Sequence, residues 1–168
     1  MHIFLIFLLA VALPKTENRV STPLNPLVDF DPVWNHTKYN ACNTAKNIPY
    51  LTTQEKEIIF VLNLVRQYPA QFNKTIVSYW PEYLERPDLK SNKYFTSLVA
   101  DINKMKPVGL LKADSLAWIS ARCHAYTSGK KSYVGHERQS ASCKVNFSGE
   151  CCHYGGTDPA GNYYGPAD

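Results

Sequence analysis

The sequence has no block of Lys and Arg interleaved with aromatic residues, no internal repeat and no low-complexity tract. Its basic residues are scattered from Lys15 to Lys144 and the net charge is only +4. The electrostatic face that nucleic-acid binding requires is missing, so nucleic acid is not an expected partner. An apolar stretch long enough to span a bilayer, about 20 residues, is missing too. What exists instead is a short run at residues 3–9 made only of Ile, Phe and Leu, followed by Ala10-Val11-Ala12 and then polar residues from Lys15 onward. A short apolar core ending in an A-x-A-like triplet is the pattern of a cleaved export signal. Residues 1–12 are therefore expected to be a signal peptide and the protein to be secreted or periplasmic, with no transmembrane span. No Cys follows the run closely enough to carry a lipid anchor.

The paired spacings of a structural zinc site are also absent. Cys123, His124, His136, Cys143, Cys151, Cys152 and His153 crowd the last third of the chain, but no C-x2-C or H-x3-H clip joins them. His136-Glu137 opens like the metalloprotease pattern H-E-x-x-H, yet Ser140 stands where the second His is needed. Given an export signal, disulfides are the simpler account of the thiols. The chain has 5 cysteines, which permits up to two disulfides and one unpaired thiol. Cys151 and Cys152 are adjacent, and a bond between them would be strained. One of them is expected to pair with Cys143 or Cys123. A nucleophilic thiol, Cys151 or Cys152 beside His153, is conceivable from the sequence, but disulfide pairing would silence it.

What is present fits one domain. At 168 residues and 45% hydrophobic composition the chain can bury a core without metals or crosslinks. Residues 13–50 carry Pro14, Pro23, Pro26, Pro32 and Pro49 with little periodicity and read as an extended lead-in, pinned by Trp34, Tyr39 and Cys42. Thr52 and Glu55 form a capping-box pattern that opens a helix carrying Ile58, Ile59, Leu62 and Val65. Pro69 ends that helix or opens the next, in which Ala70, Phe72, Ile76 and Val77 are expected to face the core. Pro81 and Pro87 bracket a loop. Ser91 is the expected cap of a helix with Tyr94, Phe95, Leu98, Val99 and Ile102. Asp114 or Ser115 starts the last helix, whose stripe is Leu116, Ile119, Cys123 and Tyr126. Asn35-His36-Thr37, Asn73-Lys74-Thr75 and Asn146-Phe147-Ser148 match the N-glycosylation acceptor pattern and are read as ordinary polar loop residues.

Several of these pieces, in order, resemble one family. Asn63, Arg66 and Pro69 follow the opening helix. Leu116, Ala117, Ala121, His124 and Ala125 match a helix reading roughly L-x-x-x-A-x-x-H-A. Gly135-His136, Gly149-Glu150, Tyr154-Gly155 and Asp158-Pro159 then succeed one another. Residues 51–159 are similar to the N-terminal part of a bacterial-type CAP domain, the superfamily of cysteine-rich secretory proteins, antigen 5 and pathogenesis-related-1 proteins. The resemblance implies a central cleft lined by two His and two acidic residues that often hold a divalent metal such as zinc. Residue by residue it assigns His136 and Glu150 to that cleft and to the metal. His124 becomes a packing or second-layer group.

Two departures accompany the resemblance. Cys151 stands where the family has an Asn after Glu150. The family's domain also continues through further strands to a Gly-His-Arg-like segment with the second His. The expected fold class is therefore α+β, the N-terminal helical half of an α-β-α sandwich with most of the central antiparallel sheet missing. Residues 51–168 form the partial domain, and apolar helix faces are expected to lie exposed. Functionally the resemblance implies a non-enzymatic, secreted binding protein with an extracellular or envelope ligand, a lipid or sterol among the candidates. The alternatives are a metal-assisted or His/Glu-dependent hydrolase, and a disulfide-stapled interaction domain outside the family.

Overall fold

A computed structural model describes residues 25–144 and 149–152, and the backbone of 156–157 and 163–164. The expected signal peptide, Asn146, His153, Tyr154-Gly155 and Asp158-Pro159 lie outside the described residues.

The lead-in forms 3-10 turns at Pro26–Asp29, Pro32–Asn35 and Thr37–Cys42. Two of them start with a proline, whose fixed φ suits the first helical position, and are capped by Asn25 and Asp31 side chains. The helices follow: α1 (Thr53–Gln67), α2 (Pro69–Thr75), α3 (Trp80–Tyr83), α4 (Lys93–Lys104) and α5 (Ser115–Lys130). Thr52 and Glu55 close the expected capping box on α1. Asn92 rather than Ser91 caps α4, because Ser91 is used by a 3-10 turn at Pro87–Ser91. Asp114 caps α5 by accepting from the Ala117 amide.

The α+β expectation is overturned. Among the described residues the molecule is helical, and strand pairing is confined to β1 (Gly156–Thr157) against β2 (Tyr163–Tyr164), an antiparallel contact two residues long. Only the helical half of the expected sandwich is observed. The physical reason is visible in the pattern: between residues 51 and 130 apolar residues recur at helical steps, and no segment alternates as a half-buried strand must. Among the described residues no helix is long and apolar enough to cross a membrane.

The core is built by the lead-in against α1 and α2. Leu27, Trp34, Tyr39 and Cys42 pack with Phe60, Leu64 and Ile76 in one buried cluster. Trp34 stacks obliquely on Tyr39 at 4.8 Å, Tyr39 meets the edge of Tyr68 at 4.9 Å, and the Trp34 indole N–H donates to Thr75 Oγ1 at 2.9 Å. Burial of a side chain such as Leu64 contributes about 1.5–3 kcal/mol. On α1 the core face is Phe60 and Leu64, while Ile58 and Leu62 of the expected stripe are exposed. On α2, Ala70 is exposed whereas Ile76 and Val77 just beyond it are buried, as expected. The loop expected between Pro81 and Pro87 is in part helical, since Pro81 is buried at the start of α3.

Three polar side chains of α1 fasten the segment that leads to α5. Asn63, fully buried, accepts from the Leu111 amide at 2.7 Å and directs its own Nδ2 at Cys42 O, Thr44 Oγ1 and Leu111 O. Arg66 Nε donates to Gly109 O at 2.9 Å and Gln67 Nε2 to Val108 O at 2.5 Å. Asn63 and Arg66, part of the resemblance, are thereby explained as a clamp on the backbone of the segment before α5. Asn73 is not a loop residue either. It is buried in α2 and donates to Asn103 Oδ1 at 2.6 Å and Val99 O at 3.3 Å, joining α2 to α4.

Candidate functional site

Helix α5 buries its polar side. Ser120, His124 and Ser128, four residues apart, are 3–5% exposed, whereas Leu116, Ile119 and Tyr126 are 55–63% exposed. The loop after α5 accounts for this inversion. Ser120 Oγ donates to Lys144 O at 2.6 Å, and a disulfide joins Cys123 to Cys143 across 20 residues. The loop is thus drawn over the 120/124/128 line and α5 turns its apolar stripe outward. The expected pairing of Cys151 or Cys152 with Cys143 or Cys123 is corrected: both are free thiols, as is the buried Cys42. Cys143 is buried beside α5, within reach of Cys123, while Cys151 faces solvent and Cys152 turns toward His136.

At the α5 end of this loop the chain makes a tight reversal. Gly135 has φ 146°, which disfavours other residues, and a Cβ there would collide with the Tyr133 ring. The turn aims the Gly135 carbonyl at His124 Nε2, 3.0 Å away, and sends His136 in the direction of Glu150. Because a carbonyl only accepts, His124 donates from Nε2 in this arrangement, and its Nδ1 accepts from Ser128 Oγ at 3.2 Å.

Glu150 is the centre of the site. Arg138 grips it with both terminal nitrogens, Nη2 donating to Oε1 at 2.7 Å and Nη1 to Oε2 at 3.1 Å. His136 Nδ1 lies 3.1 Å from the same Oε2, and His124 Nε2 lies 4.0 Å from it. The Arg138 hydrogen bonds outweigh burial and, with His136 and the nearby His124, hold the carboxyl down at about 2, well below the ordinary Glu value. Cys152 Sγ stands 3.4 Å from His136 Nδ1.

Of the residues chosen from the sequence, His136 and Glu150 do meet, although 14 positions apart. His124, expected to pack, is buried and also faces the carboxylate. Arg138 was missed, and Cys152, taken from the sequence as a disulfide candidate, stands as a free thiol beside His136. The sequence held only a faint signal for Arg138: a basic residue two positions after His136, in a loop that already held the expected ligands. Chemically the donors suit a borderline cation, since one ligating atom each from His124, Glu150 and Cys152 lies within 4.8 Å of the others.

No protein-family model, no curated protein and no solved structure matches the chain.

Proposed function

We propose that the protein is a secreted or periplasmic binding protein of CAP type, which captures a ligand at the His136–Glu150 cleft without turning it over. The observation that carries this reading is the meeting of these two residues beside Arg138. They were selected by resemblance, from separate stretches of chain, for a shared cleft. The electrostatics favour binding over hydrolysis. A general base works best with a pKa near the working pH, and a carboxylate held at about 2 by Arg138 and His136 is a feeble proton acceptor at neutrality. It is instead a permanent negative acceptor for a hydrogen-bond donor such as a sterol hydroxyl or the polar head of a lipid. The Cys123–Cys143 disulfide supports an oxidising compartment.

The test compares the wild-type chain with Glu150→Gln, first for retention of a fluorescent sterol and a fluorescent fatty acid, then for hydrolysis of ester and peptide reporters. Retention weakened about tenfold in the variant, a loss of about 1.4 kcal/mol, with no turnover in either protein, is the expected result. Turnover that the substitution abolishes would establish the hydrolase reading instead.

A further inference from the structure

We infer that Cys152 is a thiolate ligand and that, with His124 and Glu150, it forms a three-donor site for a thiophilic divalent cation of the zinc type, with His136 standing beside Glu150 and Cys152. This deepens the cleft reading and rests on it. It departs from the His136/Glu150 pair that the resemblance implies by adding a sulfur donor and by moving His124 from packing to ligation.

The distances carry the inference. A tetrahedral ion bound at about 2.0–2.1 Å to N or O and about 2.3 Å to S places its ligating atoms about 3.3–3.6 Å apart. In the structure His136 Nδ1 and Glu150 Oε2 are 3.1 Å apart, Cys152 Sγ and His136 Nδ1 are 3.4 Å apart, and His124 Nε2 and Glu150 Oε2 are 4.0 Å apart. The group proper is His124, Glu150 and Cys152, whose ligating atoms all lie within 4.8 Å of one another, while His136 adjoins Glu150 and Cys152. Three donors of the right kinds therefore already lie together, with His136 beside two of them, and they must draw in further to reach tetrahedral ligation.

The surroundings suit the same purpose. His124 is positioned by Ser128, whose hydroxyl lies 3.2 Å from Nδ1. A hydroxyl both donates and accepts, so Ser128 can instead accept a hydrogen bond from Nδ1–H; ligation then requires His124 to switch tautomer and give up its Nε2–H bond to the Gly135 carbonyl. Arg138 orients the carboxylate from outside, as hydrogen-bond donors to ligating carboxylates commonly do. Its charge lowers the affinity for any cation, and a sulfur donor offsets that selectively for thiophilic ions. Cys151, adjacent but exposed, makes no contact with the cluster among the described residues and serves as an internal control.

The experiment titrates the intact, disulfide-bonded chain with Co2+ and then displaces it with Zn2+, reading the thiolate-to-Co2+ charge-transfer absorption and the d–d bands of a tetrahedral site. Wild type and Cys151→Ser are expected to bind one Co2+ with the charge-transfer band. Cys152→Ser should lose the band and at least about tenfold in Zn2+ affinity, and His124→Gln should lose affinity with the band retained. Circular dichroism confirms that each variant keeps its helices. Three results overturn the inference: no charge-transfer band in the wild type, a band that Cys151→Ser removes, or an affinity untouched by Cys152→Ser. If Co2+ binds without the band and Glu150→Gln abolishes binding, the thiolate is refuted while the His/Glu cleft stands. If no cation binds but the sterol or fatty acid is retained, the metal site falls and the binding reading survives.

Discussion

Glu150 keeps its charge over nearly the whole pH scale because Arg138 and His136 favour the carboxylate. A Glu in the unfolded chain titrates near about 4.3, so between that value and about 2 the unfolded state binds the extra proton and the folded state does not. The resulting stabilisation is fully present above pH 4.3 or so and is lost as the pH falls through about 2. Two outcomes are expected. In a carbon-detected NMR titration the Glu150 carboxyl shows its midpoint near about 2, moving upward by more than about one unit in Arg138→Gln. Thermal midpoints measured across this acid window fall less steeply in Glu150→Gln than in wild type. The slope shrinks without vanishing, because Asp88 beside Arg86 and Glu82 beside Lys90 are also held low. A Glu150 midpoint above 4 or so would contradict the geometry around Arg138. At this scale the sequence was partly legible. His136 and Glu150 could be picked by pattern, but the Arg138 grip depends on how a loop closes, which no local spacing records.

Helix α5 carries its lesson in the orientation of two faces. Its apolar stripe was legible from spacing, and Leu116, Ile119 and Tyr126 do share a side, but that side is exposed. Periodicity identifies which residues lie together; it does not say which side another element will cover. Here a covalent crosslink and the Ser120–Lys144 hydrogen bond decide in favour of the polar side. Leu116→Gln and Ile119→Gln are therefore expected to change unfolding free energy by less than about 0.5 kcal/mol. Ser120→Ala, which removes the hydrogen bond to the Lys144 carbonyl and the long one accepted from Arg138, is expected to cost about 0.5–1.5 kcal/mol. Urea denaturation of the three variants measures both, and the reverse ranking would mean the helix is turned the other way. Helix starts were easier to read. The Thr52–Glu55 box is a purely local pattern and formed as written, whereas the α4 start slipped by a residue because a proline-led 3-10 turn consumed Ser91.

For the molecule as a whole, much of the buried core comes from the stretch where the sequence looked least regular. The lead-in supplies Leu27, Trp34, Tyr39 and Cys42 to the core, and Trp34 ties the lead-in to α2 through Thr75. Trp34→Ala is expected to cost about 3–5 kcal/mol, read as a shift of the urea midpoint with the slope unchanged. A loss below about 1 kcal/mol would mean that α1 and α2 form a core without the lead-in. The anchoring aromatics could be read from their size and isolation among prolines. Their packing against α1 and α2 could not, since it joins positions as distant as Trp34 and Thr75 and leaves no periodic trace. The α+β expectation rested on a resemblance that itself left out most of the sheet, and it had no alternating segment behind it. Asn73 gives the architecture a consequence for how the chain is made. Its amide is buried between α2 and α4, yet Asn73-Lys74-Thr75 is an acceptor for the oligosaccharide that eukaryotic secretory cells attach as a chain enters their lumen. A sugar installed before folding cannot coexist with the Asn73–Asn103 contact. A eukaryotic secretory host would therefore divide its product between unmodified chains that fold and modified chains that do not, while a bacterial periplasm imposes no such choice.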